Sequence, residues 1–254
     1  MPTKLSKDRL ESLYRQWHRP EFLPTDPLIL VREADPGDRE VVAFLASCLA
    51  MGRASLVTKA ARDLLARIGL PVAGRLAEAE PGSWAPLLEG FVYRFFSASR
   101  VAALLDAVGV VLRDHGSLEA AWQSSGIRGW PALDAFSAQF RSPGVDLGVL
   151  VPVSQSTGAS KRLNLFLRWM VRRDEIDLGL WSAVAPAELF MPIDTHVLQW
   201  AQREELTLRR VADRQACLEV TDALRALSPE DPLRYDFAIT RAGMDAKNTL
   251  TNEP

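Results

Sequence analysis

Apolar residues recur along this chain at helical spacing and almost nowhere at strand spacing, and that restricts the fold more than any other feature. After Asp35 and Pro36, which suit a helix start, Val41, Phe44, Leu45, Cys48 and Leu49 fall at i, i+3, i+4, i+7 and i+8 until Gly52 breaks the run. Leu56, Ala60, Leu64 and Ile68 repeat the pattern and stop at Gly69. Val101, Leu104, Leu105, Val108, Val111 and Leu112 repeat it again up to Gly116, and Ser117 is placed to cap a short helix beyond. Further helices are expected from about Pro131 to Phe140, from Asp213 to Leu227, and from Pro232 to Ala242 with Gly243 closing the last. No period-two alternation lasts long enough to demand a sheet, and no fixed repeat is present. The expected fold is all-α.

With 254 residues, 48% of them hydrophobic, the chain has enough apolar surface for one large domain or two closely packed lobes. The clearest break is the Pro-, Gly- and Ser-rich stretch RSPGVDLGVLVPVSQSTG. It divides an N-terminal helical lobe, 30–141, from a second lobe, 142–254, on which a helix over 5–18 is expected to pack. A helical protein of this kind places its site in the cleft between lobes. Thirty Lys and Arg against 32 Asp and Glu leave a formal charge of −2, so any nucleic-acid surface has to be local. Only two cysteines, Cys48 and Cys217, are present, too few for a disulfide framework, a zinc knuckle or a four-cysteine cluster. The reading is a cytoplasmic monomer with no metal or cofactor and no membrane segment.

Two residues stand out by position. Lys161 opens an amphipathic helix whose apolar side is Leu163, Phe166, Leu167 and Met170. The helix macrodipole disfavours an ammonium there, and only the neutral amine attacks a carbon centre. A solvated lysine beside Arg162 is the plain alternative. Asp194, after the turn FMPI, opens another helix, and capping explains it completely when it is taken alone. His196 in the same turn is read as a packing residue rather than a ligand.

Taken together, a glycine-containing loop, a lysine opening a helix and a proline turn entering Asp-Thr-His-Val resemble the helix–hairpin–helix DNA glycosylases. IDTHV is similar to the corresponding stretch of endonuclease III-type enzymes. Nearly the whole chain resembles an uncharacterised bacterial family of that superfamily, through KRLNxFLRWMVR (Lys161 to Arg172), PxDTHV (Pro192 to Val197) and DPxxYDF (Asp231 to Phe237). The hairpin departs from the superfamily's LPGVGxKTA: Val151 to Lys161 reads VPVSQSTGASK. The long separation between lysine and aspartate resembles the archaeal 8-oxoguanine glycosylase branch, which lacks an iron–sulfur cluster.

The resemblance implies a two-lobed glycosylase fold and a nucleotide flipped out of double-stranded DNA. It implies that Asp194 stabilises the sugar cation as the base leaves, and that Lys161 attacks the same carbon to give a Schiff base followed by β-elimination. The substrate would be an oxidised or modified base resembling 8-oxoguanine. For the base pocket it points to Tyr93, Arg94, Phe95, Trp169, Tyr235 and Asp236, with Asp236 reading a purine edge. Core packing explains the aromatics at least as well. For the DNA backbone it points to Ser160, Arg162, Arg168 and Arg172, which solvated helix charge explains equally well. Two rival readings stay open: a DNA-binding protein on the same scaffold without catalysis, and a helical interaction protein that binds no nucleic acid.

Overall fold

The computed structural model describes residues 5–141, 147–151 and 157–251, with side chains in the last helix described as far as residue 244. It is mostly helical, 59% helix against 3% strand. The chain divides into two compact units, one built from Met1–Leu23 with Thr157–Pro254 and the other from Pro24–Ser156.

The unit over Pro24–Ser156 contains α2 (Leu28–Glu33), α3 (Arg39–Cys48), α4 (Ala54–Ile68), α5 (Val72–Glu78), α6 (Ala98–His115), α7 (Leu118–Gln123) and α8 (Trp130–Gln139). Its core is the apolar set expected from periodicity: Val41, Phe44, Leu45, Leu64, Ile68, Val101, Leu104, Leu105 and Val108 are all buried. Acidic residues at the start of α3 cap its neighbours. Asp38 accepts the N–H groups of Val72 (2.9 Å) and Ala73 (2.8 Å) at the start of α5, and Glu40 accepts those of Leu118 (2.9 Å) and Glu119 (2.8 Å) at the start of α7. A carboxylate on otherwise unpaired helix N–H groups satisfies backbone donors and complements the dipole at once. Asp38 is therefore the residue before α3, and Asp35 and Pro36 lie in the turn preceding it. At Gly109 of α6 a Cβ would stand 2.4 Å from the carbonyl oxygen of Leu76, so α5 and α6 cross too closely for any other residue.

A feature absent from the helical reading is a two-residue hairpin, β1 (Val92–Tyr93) paired antiparallel with β2 (Phe96–Ser97). Strands this short produce no legible alternation.

The other unit contains α1 (Lys7–Trp17), α9 (Lys161–Val171), α10 (Thr195–Arg203), α11 (Arg214–Leu227) and α12 (Asp236–Thr251). Trp169, Phe166, Met170, Val220, Leu224, Tyr235 and Phe237 fill its interior. Each such aromatic or aliphatic side chain contributes about 1.5–3 kcal/mol relative to exposure. The helix expected from Pro232 begins at Asp236 instead, because Pro232 to Tyr235 form a turn in which Asp236 N–H donates to the Leu233 carbonyl (3.0 Å). Nor does Gly243 close it. α12 runs through, and Gly243 sits where a Cβ would touch His196 Cβ at 3.7 Å, at the packing of α12 on α10. The N-terminal helix α1 packs on α12. Tyr235 Oη donates to Glu11 (2.7 Å), Arg234 pairs with Glu11 (3.2 Å), and Arg9 pairs with Glu204 (2.7 Å).

Candidate active site

Three constraints place Lys161. Arg214 N–H, the first of α11, donates to the Thr157 carbonyl (2.8 Å), and Gly158 forms an antiparallel bridge with Asp213. Asn164 Nδ2, one turn into α9, donates back to the Ala159 carbonyl (3.0 Å). Ser160 is the N-cap and takes a left-handed backbone, φ +47°, a conformation that non-glycine residues adopt uncommonly and that recurs at functional sites. Residues 152–156 of the expected hairpin lie outside the described residues.

The approach to Asp194 is pinned from α11. Met191 N–H donates to Thr221 Oγ1 (2.9 Å), while the Met191 carbonyl accepts from the Cys217 thiol (3.1 Å). Asp194 then caps α10: its Oδ1 accepts the N–H groups of His196 (2.8 Å) and Val197 (3.0 Å). Its other oxygen, Oδ2, meets Lys161 Nζ at 3.1 Å. Capping uses one carboxylate oxygen and leaves the other for the lysine. The two side chains keep 33% and 22% of their surface exposed, so the pair is lodged in the protein yet reachable. Burial alone would raise the Asp194 carboxyl. The charge of Lys161 and the Val197 N–H outweigh it and hold the group below the usual carboxylate range.

Behind this pair lies a buried ionic network. Arg168, 3% exposed, donates Nε to Asp177 Oδ1 (3.2 Å) and pairs through Nη1 with Asp236 Oδ2. Arg172, also 3% exposed, donates Nε to Asp231 (2.9 Å) and Nη2 to Asp174 (2.8 Å), and its Nη1 pairs with Asp177. His18 of the N-terminal segment reaches Asp174 through Nε2 (3.1 Å) and stacks on Tyr14. Burial pushes the carboxyls of Asp177 and Asp236 upward despite their arginines, and the charge of Asp194 adds to the effect on Asp236. For Asp174 the outcome is opposite: the bond from His18 and the charge of Arg172 outweigh burial and hold its carboxyl far below the ordinary range.

Several sequence expectations are corrected here. Arg168 and Arg172 are themselves buried and held by carboxylates, so they are not available as phosphate contacts. Trp169, Tyr235 and Asp236, expected in a base pocket, are at most 1% exposed. Trp169 and Tyr235 are core, and Asp236 is the partner of Arg168. The Tyr235 hydroxyl, buried and bonded to Glu11, is pushed up to about 12. Of the remaining candidates, Ser160 and Arg162 are half-buried at the mouth of α9. Tyr93, Arg94 and Phe95 belong to the other unit. Tyr93 is buried and donates to the Met51 carbonyl (2.5 Å). Arg94 turns the hairpin with φ +55°, its guanidinium against Gly52, and Phe95 is 54% exposed beside it. Asp174, Asp177 and His18 were not read from the sequence, and Asp231, read only as a helix opener and the start of the DPxxYDF motif, holds Arg172. Among the described residues, no group of three His, Cys, Asp or Glu side chains could hold a metal ion. No helix among them is long and apolar enough to cross a membrane.

In comparison with known families, residues 26–245 fit the model of a family described as protein of unknown function (DUF2400). The chain belongs to that family. No curated protein and no solved structure matches it. The family spans both units, including Lys161, Asp194 and the four carboxylates of the arginine network, and its description assigns them no activity.

Proposed function

We propose that the chain is a DNA glycosylase with lyase activity, which removes an oxidised or modified base from double-stranded DNA and then breaks the strand. The observation that carries this reading is the meeting of Lys161 Nζ and Asp194 Oδ2 at 3.1 Å across two helix mouths, both side chains still reachable. The resemblance of IDTHV and of the lysine-led α9 to the helix–hairpin–helix glycosylases supports the same chemistry.

The arrangement suits a reaction at one sugar carbon. As the bond from C1′ to the base breaks, both electrons leave with the base and positive charge develops on the sugar. Asp194 stays ionised through neutral pH and lies where that charge would be stabilised. The departing base takes up a proton from Nζ, leaving a neutral amine that forms a bond to C1′. Ring opening gives the imine. Loss of a C2′ proton then expels the 3′ phosphate oxygen with the electrons of the C3′–O bond. Asp236 is tied up with Arg168, so reading of the base edge falls to other residues, and 8-oxoguanine is the first substrate to test.

The experiment is borohydride trapping across duplexes carrying 8-oxoguanine, hypoxanthine, uracil, alkylated purines, or hydroxymethylated or glucosylated cytosine. A covalent adduct with one lesion that disappears in Lys161→Gln supports the reading. Base release with no adduct would leave a glycosylase without the lyase step, and no release from any of them would remove the enzymatic reading.

A further inference from the structure

Ser160, which leads the chain into Lys161, departs from the usual form of a helix cap. A serine at this position ordinarily takes an extended backbone and accepts a helix N–H with its hydroxyl. Ser160 is left-handed instead, φ +47° and ψ +35°, and its side chain accepts none of the helix N–H groups. That conformation is unfavourable for a residue with a Cβ, so other bonds must hold it.

Asn164 supplies them. Its backbone N–H donates to the Ser160 carbonyl (3.0 Å), and its side-chain Nδ2 donates to the Ala159 carbonyl (3.0 Å). Each carbonyl lies in a rigid peptide plane, and φ and ψ of Ser160 are the rotations between those two planes. One residue thus fixes both planes flanking Ser160, and with them the direction in which the chain enters Lys161.

Packing does not account for an asparagine here. Its side chain is 1% exposed, and Oδ1 has no hydrogen-bond partner among the described residues. A buried amide with an unmet oxygen is less favourable than an apolar side chain of similar volume, and Leu163, Phe166 and Leu167 beside it on α9 are apolar and buried. What the amide adds is the bond to Ala159. The other end of the segment is anchored on α11 through Thr157 and Gly158. A change at Ser160 is therefore passed to Lys161, whose Nζ lies 3.1 Å from Asp194 Oδ2.

We propose that Asn164 is a positioning residue for the Lys161–Asp194 pair: it holds Ser160 left-handed and so aims Nζ at Oδ2. Its part in catalysis rests on the reading of that pair as the reacting groups, whereas its part in forming the pair does not.

The test follows the Asp194 carboxyl by carbon-13 NMR of the full chain labelled in aspartate, its resonance assigned as the one missing from Asp194→Asn. Beside it runs single-turnover borohydride trapping at saturating DNA, on whichever lesion duplex the parent attacks. Asn164→Leu keeps the volume, removes the donor and should melt no lower than the parent. Its Asp194 should nonetheless titrate at higher pH, toward the position in Lys161→Gln, because the ammonium no longer stands beside it. Trapping should slow by about tenfold to a hundredfold, the scale of a misplaced reacting group, with half-saturation by DNA unchanged. Adding Ser160→Gly should recover part of both, since glycine takes positive φ without steric cost. Ser160→Val keeps Asn164 but disfavours positive φ, and should shift the Asp194 titration in the same direction even if Asn164→Leu fails to fold. An Asp194 titration at the parent's position in Asn164→Leu, or in Ser160→Val where Asn164→Leu does not fold, overturns the proposal. A shifted titration with trapping at the parent's rate would remove Asn164 from catalysis. If the titration shifts but the parent traps on no duplex, Asn164 still sets the pair and the glycosylase reading falls.

Discussion

Asp194 divides its two carboxylate oxygens between two tasks: Oδ1 caps α10 through His196 and Val197, and Oδ2 holds Lys161 Nζ at 3.1 Å. Structural and chemical demands on one side chain are thereby separable by substitution. Asn caps about as well as Asp, so Asp194→Asn should keep the parent's fold while base release falls by two or more orders of magnitude, roughly the cost of losing a charge aimed at a transition state. Asp194→Ala should lose about 1 kcal/mol of stability as well. Circular dichroism melting beside a single-turnover assay checks both, and an Asn variant that unfolds would make Asp194 primarily structural.

The same pair predicts a pH dependence. Asp194 has a depressed folded-state pKa, so its contribution to stability is present above the unfolded carboxylate value and is lost as pH falls through the lower folded one. The acid limb of base release should therefore lie below about pH 4. In Lys161→Gln the lysine charge is gone, and the Asp194 carboxyl should titrate at higher pH than in the parent, as followed by carbon-13 NMR of labelled aspartate. An unchanged titration would mean that the lysine does not set the charge on Asp194.

Arg172 binds Asp174, Asp177 and Asp231 while almost fully buried. Removing it strips the fully buried Asp177 of one of its two arginines and takes the arginine from the partly exposed Asp174 and Asp231. Arg172→Ala is expected to destabilise by about 3–5 kcal/mol, read as a shift of the urea midpoint. A shift below about 1 kcal/mol would place Arg172 with ordinary surface ion pairs.

At Gly109→Ala, the roughly 1 kcal/mol gained in helix propensity competes with a methyl 2.4 Å from the Leu76 carbonyl oxygen. Backbone has to move, and overpacking of this kind costs about 1–3 kcal/mol. The melting temperature should fall, and a rise would mean that α5 yields freely.

The two thiols offer a simple check on burial. Cys48 and Cys217 are both buried, and burial pushes the Cys217 thiol up to about 12. Neither should react with a disulfide reagent in the native protein at neutral pH, and both should react on denaturation.

Much of this architecture was legible in the sequence because helices declare themselves by period. Val41 to Leu49 and Val101 to Leu112 were read correctly from spacing alone, and the lysine and aspartate at two helix mouths do meet. Arg168 and Arg172 were misread for a physical reason. A charged residue on a helix gives no local sign of whether it meets water or carboxylates brought in from elsewhere. Two of their partners, Asp231 and Asp236, lie about sixty residues away, and the other two, Asp174 and Asp177, are close in sequence but look there like ordinary loop acids. Gly243 misled in a similar way, since a glycine needed for helix-on-helix packing looks in sequence like one that ends a helix. The hairpin at Val92–Ser97 is too short for its pairing to leave a pattern.

The docking of α1 on α12 has a consequence for how the protein is made. Tyr14 and Glu11 find Tyr235 and Arg234 only when the ribosome has added more than two hundred residues. At about 5–20 residues per second this interval is on the order of ten to forty seconds. For that time the apolar stripe of α1, with Leu10 completely buried in the finished protein, lacks its partner helix α12, whereas the unit over Pro24–Ser156 has all of its sequence as soon as residue 156 is added. Among the described helices, α1 is thus made before the others yet seated among the last, and the period of greatest exposure to chaperones and proteases belongs to the segment that holds His18 against Asp174.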